Sequence, residues 1–190
     1  GYRRRVLGGT LAPSGGSPRP THSTMLRLTT LDGVSLANDG CPITGLLNRR
    51  QSVLLLLLLA ASGRRGVSRD RVAALLWPDG TVRDPRHSLD QLLSATRAAV
   101  QGVPLVSGGA GALRLDPDGV RVDVAEFEAA LHAGRREEAV ALHRAPFAEG
   151  FTVPGSRALE DLLDATRHRL AHAYATALRE LAEAAEARGD

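Results

Sequence analysis

Residues 49–65 read RRQSVLLLLLLAASGRR, and the role of this stretch decides what kind of molecule the chain is. A membrane-spanning helix needs about 20 consecutive apolar residues. Here only residues 53–61 are free of polar groups. A secretory apolar segment can be shorter, but its place is at the very start of a chain. Roughly two dozen residues lie between Met25 and the first arginine pair, and they include Asp32 and Asp39 in strand-like alternation. The run therefore reads as a helix over about 46–62, buried on most sides and ended by Gly63. One side is expected against the strands before it and the other against two helices after it. Arg49, Arg50, Arg64 and Arg65 then mark where it meets water.

Working outward, Leu26, Leu28 and Leu31 lead into Asp32-Gly33 and on to Val34 and Leu36, which reads as strand, tight turn, strand. Asn38-Asp39-Gly40 gives another turn, and Cys41 to Thr44 a third short strand. Downstream, Ser68 is a good N-cap, with Asp70 in the first turn to complement the helix dipole. Val72, Leu75 and Leu76 form that helix's stripe, and Trp77-Pro78-Asp79-Gly80 closes it. A further helix has Asp84 as N-cap and Pro85 at its first position. Leu89, Leu92, Leu93, Thr96 and Val100 recur on its apolar side at helical spacing. Its other side presents Arg86, His87, Asp90, Gln91, Ser94 and Arg97.

Leu105–Ser107 and Leu113–Leu115, joined through Gly108-Gly109-Ala110-Gly111, form a β-hairpin pattern. Asp116-Pro117-Asp118-Gly119 is a turn and the expected domain boundary. Beyond it the pattern is helical, over about 123–133, 135–144 and 156–188, with Leu159, Leu162, Leu163, Leu170, Tyr174, Leu178 and Leu181 on one face of the last. The expected organisation is thus a tail over 1–24, rich in Gly, Pro, Ser and Arg and read as disordered, then a front domain at 25–118 and a helical domain at 119–190.

All 24 basic residues are arginine, a planar and permanently charged fork suited to phosphate or carboxylate. Residues 1–24 hold four arginines and no acid, residues 25–120 eleven against eight acids, and residues 121–190 nine against thirteen. That polarity suggests a polyanion partner at the front. The lone Cys41 excludes an internal disulfide and fits a reducing, cytoplasmic setting. No metal site is expected, since His168 and His172 lack a third ligand. No cofactor is expected either: Gly8-Gly9 and Gly108-Gly109 lack the lysine and the strand–helix setting of a phosphate loop. Without a nucleophile, base and orienter in recognisable positions, the chain is expected not to be an enzyme.

Strands, three helices and a hairpin, in that order, suit a winged helix-turn-helix that binds double-stranded DNA. One helix braces while the next offers exposed side chains to base edges in the major groove. Arg86 and Arg97 suit guanine or phosphate, Gln91 adenine, and Ser94 either, with His87 on the same side. Arg83 at the helix's N-terminal edge is placed to hold a phosphate, and Arg114 in the hairpin to touch backbone or minor groove. Asp90 on this side would repel phosphate, although it could accept from a cytosine amino group.

The run GVSRDRVAALLWPDG (66–80) with RHSLDQLLSATRAAV (86–100) resembles the SARP-type bacterial transcriptional activators, which join an OmpR-type winged helix to a bacterial transcriptional activation domain. The resemblance continues through LRLDPDGVRVDVAEFEAALHAGRREEAVALHRAPFAEGF (113–151) and spans nearly all of 25–190. It implies an α+β winged helix-turn-helix domain followed by an all-α, tetratricopeptide-like helical domain. Ser88–Val100 match the recognition helix, Leu105–Leu115 the wing, and Asp123–Asp190 the activation domain. Ala145 and Ala148 depart from the family's Gly-Pro-Phe-Leu turn, and the helical domain stops short of the family's usual length.

The resemblance further implies promoter binding, often as paired molecules on direct repeats, with recruitment of RNA polymerase and no membrane partner. Two other readings stay open. One is a tetratricopeptide-type interaction scaffold whose winged helix no longer binds DNA. The other is the front end of a larger signalling protein.

Overall fold

The computed structural model describes residues 25–78, 81–108, 111–153 and 155–188. The expected tail at 1–24 and the turn residues 79–80 and 109–110 lie outside them. The described chain is a mixed α/β fold with two small sheets and several helices. Strand β1 (Leu26–Thr29) runs antiparallel to β2 (Ser35–Asn38), with Leu28 opposite Leu36. Leu26 and Leu28 are buried while Arg27 between them is exposed, the alternation of a strand with one face on the core. β3 is shorter than expected, Cys41–Pro42: Ile43 still donates its amide to the Leu36 carbonyl at 2.8 Å, and Thr44 already opens a helix.

The leucine-rich helix begins later than its apolar pattern suggested. A short helix α1 (Thr44–Leu47) comes first, and the chain is then extended at Arg49 before α2 (Arg50–Ser62) starts. Asn48 caps α1 by donating its backbone N–H to the Thr44 carbonyl at 3.0 Å. α2 ends at Gly63, as expected. Leu54 to Leu59 are between 0 and 4% exposed, so leucine faces protein on every side. The neighbours differ in part from those expected. Its main partners are α1, α3 (Arg69–Leu76), strand β6 (Ala112–Leu115) and the long C-terminal helix α7 (Arg157–Arg188), with α4 (Pro85–Ala99) and α5 (Asp123–His132) also in contact. The N-terminal strands are not among those main partners. The front and rear segments pack on α2 together, which is why no side of it can be polar.

β4 (Val67–Ser68) was not anticipated; it pairs antiparallel with β6, as does β5 (Val106–Ser107), the first strand of the expected hairpin, in the order β4-β6-β5. β4 lies so close to β6 that a Cβ on Gly66, whose φ is +67°, would stand 2.6 Å from the Leu113 carbonyl oxygen. β7 (Val120–Val122) pairs parallel with β1, completing the order β3-β2-β1-β7. The chain therefore returns to its first strand just after the Asp116–Gly119 turn, and one hydrophobic core continues from Leu26 to Leu170. The remaining helices fall within two residues of expectation, α6 being Arg136–Leu142.

The β1 end is held by main-chain groups. Asp123, only 4% exposed, accepts from the Thr30 amide at 2.6 Å, the Thr30 hydroxyl at 2.7 Å and the Leu31 amide at 2.7 Å. It also accepts from the Val124 amide at 2.9 Å. On the acceptor side, the Leu31 carbonyl takes the amides of Arg144 and Ala145, and the Thr30 carbonyl takes that of Ala148 at 2.7 Å. Ala148 is fully buried and holds φ +49°, so the departure from the resembled turn falls on a tightly constrained residue. Arg167 of α7 closes the same turn from outside, donating to the carbonyls of Phe147, Ala148 and Phe151.

Two stability outcomes follow. Asp123→Ala leaves buried donors on Thr30 and Leu31 without acceptors and is expected to cost about 3–5 kcal/mol. Leu56→Ala, inside the leucine ridge, should cost about 2–5 kcal/mol. Urea titration followed by circular dichroism measures both, and a loss under 1 kcal/mol at Asp123 would remove it from its central role.

Candidate nucleic-acid interface

Helix α4 is placed by local signals and tertiary packing together. Asp84 accepts from the His87 amide at 3.0 Å, Pro85 opens the first turn, and Leu89, Leu92, Leu93 and Thr96 are buried. That face rests on α3, with α1 and α2 behind it. α3 in turn starts at Ser68, whose hydroxyl accepts from the Arg71 amide at 3.3 Å. Arg83, Arg86, His87, Asp90, Gln91, Ser94 and Arg97 are all exposed, on the opposite side of α4 or just ahead of it. The members of the sequence-derived set that lie on α4 thus share one side of that helix.

The partners of these side chains separate them into two groups. Arg86 is engaged by Asp70 of α3, Nε donating to Oδ1 at 2.9 Å and Nη2 to Oδ2 at 3.2 Å. Asp90 is engaged by Arg69, also of α3. His87 and Gln91 hydrogen-bond to each other at 2.9 Å between their Nε2 atoms, one turn apart. Arg83, Ser94 and Arg97 have no side-chain partner among the described residues. The expectation that Arg86 and Gln91 stand free is therefore corrected: both have intramolecular partners. Asp90, expected to be a bare anion, is neutralised.

The hairpin brings its own cations. Arg114 is exposed on β6, and the turn Gly63–Arg65 after α2 packs against that strand. Arg64, Arg65 and Arg114 are consequently exposed on adjoining elements. The sequence marks Arg64 and Arg65 as a helix boundary facing water or DNA backbone; their nearness to the hairpin depends on a pairing some fifty residues away in the chain and is not legible there. An open groove of about 480 Å³ runs between Ser68, Arg69 and Asp70 on one side and Arg86, Leu89 and Asp90 on the other. Its position sets the two cross-helix ion pairs at the entrance to α4's exposed side. No cluster of three His, Cys, Asp or Glu side chains able to hold a metal is assembled among the described residues, and no described helix is long and apolar enough to cross a membrane.

No family model and no curated protein sequence matches the chain. Among solved structures, Mycobacterium tuberculosis EmbR in complex with a low affinity phosphopeptide is similar, with a TM-score of 0.63 at 20% identity. The fold is shared with EmbR. The likeness covers 87% of this chain and 47% of EmbR, so the chain spans about half of that protein's length.

A double-mutant cycle checks the cross-helix pairing. Asp70→Asn and Arg86→Ala should show a coupling of about 0.2–1 kcal/mol, shrinking at high salt, since both partners are largely exposed. A coupling of zero at low salt would mean that the pair does not form in solution.

Proposed function

We propose that this chain is a sequence-selective, double-stranded-DNA-binding transcription regulator. On this reading α3 and α4 form the helix-turn-helix, β5 and β6 form the wing, and the helices after β7 form a tetratricopeptide-like module. The observation that carries it is α4. It is an amphipathic helix braced by α3, presenting Gln91, Ser94 and Arg97 outward, with Arg83 just ahead of it and Arg114 exposed on the three-stranded sheet. A helix in that setting enters a major groove with its side chains at base edges, while arginines on the flanking elements meet phosphate. The sequence resemblance to SARP-type activators and the fold shared with EmbR both support it.

In this scheme Arg97, Gln91 and Ser94 read bases, with His87 orienting Gln91. Arg83, Arg64, Arg65 and Arg114 take phosphates and supply a steep salt dependence. The rear helices contact RNA polymerase, and two molecules sit on direct repeats. Residues 121–190, with more acids than arginines, suit a protein contact better than a DNA contact. The phosphopeptide belongs to EmbR, of which this chain spans less than half.

The pairing of Arg86 with Asp70 and of Arg69 with Asp90 favours a second reading, an interaction scaffold whose helix-turn-helix has lost DNA. The larger-signalling-protein reading is compatible with either.

Selection of genomic fragments by the full chain at low salt tests the proposal. Retention of no fragment would sink it in favour of the scaffold. Once a site is found, Arg97→Ala should lose about 1–3 kcal/mol and relax selectivity at one position. Arg114→Ala should instead weaken all sequences alike and lower the salt slope by about 1.

A further inference from the structure

Two adjacent residues of α3, Arg69 and Asp70, each bond a residue of opposite charge one turn apart on α4, Asp90 and Arg86. Each helix thus gives one acid and one base, and the four charges sum to zero. Nothing in the packing of the helices requires this arrangement, because the buried contact between α3 and α4 is apolar. Leu75, Leu76, Leu89 and Leu93 are enclosed, whereas the side chains of Asp70, Arg86 and Asp90 are 64–78% exposed. The pairs lie instead on the surface proposed to meet DNA, beside the groove at the entrance to α4.

We infer that Asp70 and Asp90 form a selectivity element of that surface. They hold Arg86 and Arg69 in a closed, neutral lattice, so the start of α4 does not grip phosphate indiscriminately and readout falls to Gln91, Ser94 and Arg97. This rests on the DNA-binding reading. A phosphate oxygen approaching Arg86 meets the like charge of the Asp70 carboxylate, which already takes the Nε and Nη2 donors along one edge of the guanidinium. A guanine offers two neutral acceptors at one edge and suffers no such repulsion. Exposed ion pairs are weak, so Asp70 lowers the grip of Arg86 on phosphate by a modest factor rather than abolishing it. Removing Asp70 therefore frees a cation rather than breaking the fold.

The test uses the full chain and a random-sequence DNA duplex as probe, with binding measured by anisotropy across a salt series. Asp70→Asn is expected to bind several-fold more tightly than wild type, with a log–log salt slope steeper by about one. Adding Arg86→Ala should return both to wild type. Glu183→Gln, an equal charge change far along α7, should leave the slope unchanged. In rounds of selection from the random pool, Asp70→Asn should enrich a less defined motif than wild type. An unchanged slope in Asp70→Asn, or equal steepening in Glu183→Gln, overturns the inference while leaving DNA binding intact. Failure of the wild-type chain to bind any duplex removes the DNA-binding reading and this inference with it.

Discussion

The carboxylate of Asp123 is the constraint on which the rest of the molecule depends. A buried anion is costly unless donors surround it, and no cation among the described residues pairs with this one. Instead it gathers three main-chain amides and the Thr30 hydroxyl, which are charge-assisted hydrogen bonds of the stronger kind. Because Asp123 opens α5 directly after β7, the same group fixes a strand end, a helix start and the turn leaving β1. The carbonyls of Thr30 and Leu31, facing the other way, then bind the 144–148 segment, and Arg167 brings α7 against that segment. A single two-residue turn thus joins the first strand to the last helix.

That connection gives the leucine ridge its environment. With α7 drawn in on one side and β6 on another, the leucines of α2 have no surface left for water, and aliphatic packing replaces the aromatic packing of a chain with only 3% aromatic residues. α3 and α4 are seated on this ridge. The exposed side of α4 is therefore aimed by a core to which residues well beyond the helix-turn-helix contribute. Even the cross-helix ion pairs inherit their geometry from apolar contacts beneath them.

What was legible in the sequence was local. Asp84 with Pro85, Ser68 with Asp70, and Gly63 after the leucines each mark a helix end through atoms two or three residues away, and each was read correctly. The apolar side of α4 could be listed by periodicity alone. What was not legible depends on distant partners. β7 is too short to declare itself, and its pairing with β1 spans some ninety residues. The extended residue at Arg49 interrupts a pattern that periodicity would continue. Arg86 and Asp90 looked like free groups because their partners lie on another helix, and no spacing rule reveals a crossing angle. Of the anticipated neighbours of α2, the helices α3 and α4 are present but the N-terminal strands are not among the main ones, for the same reason: an all-leucine surface says that partners exist but not which ones.

The parallel pairing of β1 with β7 also bears on how the chain emerges from a ribosome. β1 is made early, yet its second edge waits for Val120–Val122, the amides at its end wait for Asp123, and the carbonyls there wait for residues 144–148. Until then the first hairpin has one open edge and an apolar face without its full cover. The leucine ridge, made soon after, lacks both β6 and α7. Contacts of such long sequence separation are slow to form, and unpaired edges are sticky while they wait. The N-terminal sheet is thus among the first parts of the described chain to be synthesised and among the last to be completed.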